Sequence, residues 1–178
     1  MNTIKMVGIK NNIKIISLIA LISVFAVGHN AYADDRKRSQ VMSQLSLKMA
    51  MEAAMAALQE CRRDGYAVSV AVVDRSGTLL AQVRDPDAGP HTIGSSKGKA
   101  FTSASMGSAT APLANAIAEN PALNGLRDMD PRMVILGGGL PIMLNGQRVG
   151  GIGVGGAPGG HLDEACAIHG LQHIGAGF

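Results

Sequence analysis

The sequence predicts an α+β domain, one antiparallel sheet with helices packed on it. Two hairpin signals carry this prediction. Arg75-Ser76-Gly77 joins one pair of strand-like runs, and Asn145-Gly146 joins another. Asn-Gly suits a tight two-residue turn because both positions need positive φ. Strands joined so locally pair antiparallel, since a parallel pair needs a long crossover.

From the start of the chain, Met1 to Ala33 carries Lys5, Lys10 and Lys14 and no acid, then an apolar run from Ile15 to Val27, then Ala31-Tyr32-Ala33. A basic start, a short apolar core and a small-x-small exit describe a secretory signal peptide. The run is shorter than the roughly 20 residues a membrane span needs. No cysteine follows it, so a lipoprotein anchor is not expected. Residues 34–45 are polar and aperiodic, a flexible leader. The domain is then 46–178.

Leu47, Met51, Ala54, Leu58 and Cys61 recur at helical spacing and predict a helix over 46–64. Ser46 suits its N-cap, Arg62 and Arg63 its negative end, and Gly65 its stop. Ala67 to Asp74 and Thr78 to Arg84 are the first hairpin. Asp85 to His91 holds two prolines and a glycine and is a loop. Thr92 to Met106 is a helix rich in small residues, and Thr110-Ala111-Pro112 opens a short one ending near Pro121. Asn124 to Pro131 is loop, and Arg132 to Leu136 a strand closed by Gly137-Gly138-Gly139. Leu140 to Leu144 and Gln147 to Val154 form the second hairpin, and Leu162 to Ile174 the last helix.

Charge narrows the function. The chain has 16 Lys+Arg and 13 Asp+Glu, but three of the lysines lie in the first 33 residues. The remaining 145 residues carry 13 of each sign and only Tyr66, Phe101 and Phe178 as aromatics. Neither a field of uncompensated cations nor a stacking platform remains for nucleic acid. Cys61 and Cys166 permit one disulfide in an oxidising compartment without establishing it. Two buried thiols are the commoner fate of helix cysteines.

Several motifs carry candidate chemistry. Gly151-Ile-Gly153-Val-Gly155-Gly156 matches G-x-G-x-x-G, but it lies in a hairpin strand rather than a βαβ turn, so nucleotide binding is rejected. A strand so bare of side chains suits close approach of a ligand or another backbone. Asp163 and Glu164 diverge by about 100° on a helix, and acids in a first turn are ordinary dipole partners. Cys166, His169 and His173 share one helical face and form an alternative metal set for zinc or copper. Arg84, Asp85, Asp87, His91 and Thr92 concentrate polar groups in one loop, with Lys97 and Lys99 following. Imidazole can ligate haem iron, and cations can hold carboxylates. No G-x-S-x-G or S-x-x-K pattern marks a hydrolase.

The stretches VAVVDRSGTLLAQVRD, KGKAFTSAS and LGGGLPIMLNGQRVGGIGVGGAPGGHLDEACAIHG, in this order, resemble the GlcG/HbpS-like family of haem-binding or haem-degrading domains. The resemblance runs from about Leu47 to Ile174. It implies a profilin-like fold, with a five-stranded antiparallel sheet, helices on both faces and frequent homo-oligomers. It also places Arg84 and Lys99 at positions matching the family's ligand-side loop. The chain is therefore expected to be an exported haem-binding protein, periplasmic or secreted. His91 is the expected iron contact with Thr92 beside it, and Arg84 and Lys99 neutralise the propionates. Gly138, Gly139 and Pro141 are expected to form a close wall. Few aromatics favour a shallow or interfacial site. Two other readings stand beside this one, an enzyme acting on a small carboxylated substrate and a ligand-free interaction domain.

Overall fold

The computed structural model describes residues 44–178. The expected signal peptide and nearly all of the leader lie outside the described residues. The first helix, α1, is Leu47–Arg63, and the Ser46 side chain accepts from the Met49 N–H as the sequence predicts. Strands β1 (Ser69–Asp74) and β2 (Leu79–Arg84) form the first hairpin. Helices α2 (His91–Met106) and α3 (Thr110–Glu119) follow, then a 3-10 helix over Pro121–Asp128 where the sequence suggests loop. Strands β3 (Gly139–Leu144) and β4 (Gln147–Gly155) turn at Asn145 and Gly146, whose φ values are 51° and 74°. Helix α4 is Gly160–His173. Among the described residues no helix is long and apolar enough to cross a membrane.

Among the described residues the sheet has four strands in the order β2-β1-β4-β3, each neighbour antiparallel. The fifth strand expected over Arg132 to Leu136 is absent. The backbone there is satisfied by side chains instead of a ladder. The Thr102 hydroxyl accepts from the Val134 N–H, Arg127 donates to the Ile135 carbonyl, and Thr110 donates to that of Leu136. The outer edge of β3 is partly covered by the C-terminal tail, where Met143 and Gly177 exchange two backbone bonds. Such cover hides an edge that could otherwise pair with another chain.

Helices α1 and α4 pack on each other over one face of the sheet, and α2 covers the other. Val70, Val72, Ile152, Val154, Leu140 and Ile142 fill the first layer, all fully buried. Of the predicted face of α1, Ala54, Leu58 and Cys61 are buried, joined by Ala50, Ala53 and Ala57, while Leu47 and Met51 stay 60% and 42% exposed. Small alanines bring the two helices close, and a Cβ on Gly170 of α4 would lie 2.6 Å from the Ala53 carbonyl oxygen. Cys61 and Cys166 are joined in a disulfide across this interface. The expectation of two free buried thiols is thereby corrected: the close helix approach puts their Cα atoms 5.6 Å apart, within bonding reach.

On the other face, β4 presents Gly151, Gly153 and Gly155 to α2. A Cβ on Gly153 would strike the Ser96 carbonyl oxygen and lie 2.5 Å from the Ala100 nitrogen. The bare strand receives a helix backbone rather than a ligand.

Candidate functional site

The expected ligand loop turns out to be tied down by its own polar groups. Arg84 donates to the carbonyl oxygens of Pro86 and Ala88, so its guanidinium braces the loop. Asp85 is buried, pairs with Arg62 of α1 and accepts from the Asp87 N–H. The Arg62 hydrogen bond holds the Asp85 carboxyl below the usual carboxylate range. Thr92 is buried too, sharing a 2.7 Å hydrogen bond with Ser69 and donating to the Gly89 carbonyl. His91 opens α2 on the exposed surface, its ring against Gly89.

Lys99 departs further from expectation. It is only 4% exposed, and its Nζ donates to the Val154 carbonyl and to Asp163 Oδ2, each at 2.8 Å. Asp163 Oδ1 accepts from the Ala157 N–H. Burial pushes the Asp163 carboxyl up, and the ammonium of Lys99 opposes it. Asp163 is thus more than a dipole partner. The pair is a structural tie, and Lys99 is not placed to meet a propionate. Gly138, at φ 108°, lies against this pair, where a Cβ would be 2.6 Å from that of Asp163. Gly139 packs on the Lys99 carbonyl, and Pro141 is buried in the edge strand β3. The expected wall of Gly138, Gly139 and Pro141 is therefore internal.

The metal set of Cys166, His169 and His173 also changes. Cys166 is fully buried and its sulfur is held by Cys61, so it offers no thiolate. Among the described residues no group of three His, Cys, Asp or Glu is placed to hold a metal ion. His169 and His173 instead line an open groove of about 630 Å³ on the outer side of the α1–α4 pair. Met51 and Met55, one turn apart on α1, form the facing wall, and Arg62 and Arg63 close one end. Glu60 Oε2 lies 3.4 Å from His169 Nδ1 and also pairs with Arg63. A carboxylate facing Nδ1 favours the tautomer that carries its proton there and leaves the Nε2 lone pair free. The imidazoles' shared face was legible from their spacing. The methionines across from them were not, because Met51 reads as core.

The fold is an α+β domain with an antiparallel sheet, and the groove sets two imidazoles and two methionines on its outer helical face. The chain belongs to the HbpS-like family: the description "Haem degrading protein HbpS-like" matches residues 45–172. The crystal structure of a double mutant of HbpS from Streptomyces reticuli is 43% identical, covering 73% of this chain and 86% of that one at a TM-score of 0.68. The crystal structure of a PduOC:haem complex is 28% identical and covers 75% of this chain and 97% of that one, at a TM-score of 0.70. Protein GlcG of Escherichia coli is 33% identical over 112 residues, 62% of this chain and 80% of GlcG.

Proposed function

We propose that this chain is an exported haem-binding protein that holds haem in the α1–α4 groove. The observation that carries the reading is the facing of imidazole and thioether donors across that groove, with arginines at its end. Haem iron takes either donor, and propionates suit guanidinium forks. The volume lies within the roughly 300–1,000 Å³ of small-molecule sites. Family membership and the haem complex of a structural neighbour support the same ligand. Export is supported by the N-terminal sequence and by a disulfide that needs an oxidising compartment.

His169 is the iron contact in this reading, with Glu60 facing its Nδ1. Met51 or Met55 faces it from α1. Arg62 and Arg63 each keep donors beyond their present pairings, available to a propionate. Bound haem supplies redox-active iron, and the residues position it on an open face.

A haemin titration of the chain lacking residues 1–33, followed at the Soret band, tests this. A saturable, shifted band is expected, weakened at least about tenfold, or about 1.4 kcal/mol, by His169→Ala and unchanged by His91→Ala. Loss in His91→Ala alone would return the iron to the loop. No saturable shift would refute haem binding.

A further inference from the structure

On the α2 face of the sheet lies a second concavity, a cleft of about 440 Å³. It forms where the β1–β2 turn, the end of α2, the start of β4 and the segment around Asp130 meet. Three arginines line it, Arg75, Arg132 and Arg148. Asp130 is the one acid of the lining, and Arg132 occupies it through a two-pronged pair at 2.9 and 2.7 Å. Among the described residues, Arg75 and Arg148 have no carboxylate within ion-pair distance. The Nε of Arg148 is buried with no hydrogen-bond partner. A buried donor left unmade is costly.

The negative end of α2 accounts for part of this. The Arg148 guanidinium lies over Gly107, the residue that ends the helix at φ 68°, where a cation is favourable. It does not account for Arg75 or for the unbonded Nε. Beside these charges the lining mixes Ser76 and Ser105 with Ala104 and three methionines, Met106, Met129 and Met133. Arg132 stacks over the Phe101 ring at 4.0 Å, and Met129, 65% exposed, lies on the same wall with Met133.

From this pairing of spare guanidinium donors with accessible methionines, we propose that the cleft binds a small organic carboxylate with an apolar body. The carboxylate takes Arg75 and Arg148, and the body lies on Met129 and Met133. A guanidinium fork matches the planar carboxylate geometry. The site is separate from the groove, which lies beyond the opposite face of the sheet.

Calorimetric titration of the purified protein with benzoate and phenylacetate tests the assignment, with benzyl alcohol as neutral analogue and inorganic phosphate as bare anion. Saturable binding with Kd of about 1 mM or tighter is expected for at least one of the two acids. Exposed Arg75→Gln keeps the fold and is expected to weaken it at least about tenfold, as is Arg148→Gln. Met129→Ala is expected to weaken the acids and leave phosphate alone. The proposal is overturned if neither acid saturates by about 10 mM, if benzyl alcohol or phosphate binds as well as the acids, or if Arg75→Gln changes nothing.

Discussion

Replacing Cys61 and Cys166 together by alanine is the perturbation with the largest expected effect on stability. The crosslink joins residues 105 apart in sequence. Chain entropy puts the restraint on the denatured state at about 4.7 kcal/mol for a loop near that length. Unfolding the 135 described residues at about 2.1 cal/mol/K each gives roughly 0.28 kcal/mol/K, so Tm should fall by about 17 °C. The alanines leave a small void, but the surrounding α1–α4 contact is already built of Ala53, Ala54 and Ala57, so little else is disturbed. Thermal melts by circular dichroism on the wild-type and double-alanine proteins measure the shift. Because the variant has no thiols, added reductant should not move its melt. A Tm within about 3 °C of wild type would refute the argument, since the cross-link would then restrain nothing in the unfolded chain.

Three further outcomes follow from the packing. Lys99→Met strands Asp163 in the interior with the Ala157 N–H and should cost about 3–5 kcal/mol in urea unfolding, with Lys99→Met/Asp163→Ala recovering part of the loss. Since burial already raises the Asp163 carboxyl above its ordinary 3.8, the single variant should be relatively more stable in acid and lose stability as pH rises through that raised value. Gly153→Ala should cost about 1–3 kcal/mol by forcing α2 off the sheet, whereas Gly146→Ala, with open space around it, should cost only the roughly 1 kcal/mol of its left-handed backbone. Arg132 pulls Asp130 down to about 2, so its contribution is present above pH 3.8 and lost as pH falls through about 2; Asp130→Asn should flatten that limb of an acid titration.

The parts legible in the sequence are those set by local chemistry. Ser46 caps α1, and Asn145-Gly146 makes the second turn, because each signal and its partner lie within a few residues. The segment from Arg132 to Leu136 misled because Val134-Ile-Leu136 has strand composition, while its hydrogen bonds go to Thr102, Arg127 and Thr110, distant in sequence. Lys99 was readable as a cation but not as a buried one, since Asp163 lies 64 residues on. The glycines of β4 announced a close approach without saying to what. The imidazole face of α4 was visible from a spacing of four, but the opposing wall depends on how α1 is rotated against the sheet. That rotation is decided by which alanines let the two helices approach, a tertiary matter.

The Lys99 side chain begins on the helix above one face of the sheet and ends on a carboxylate from the helix pair below the other. It acts as a rivet at the end of the sheet, passing Gly138, where a side chain would leave no room. α2 therefore cannot slide along the glycine track of β4 without pulling on α4. The groove on one side and the arginine cleft on the other belong to one mechanical frame.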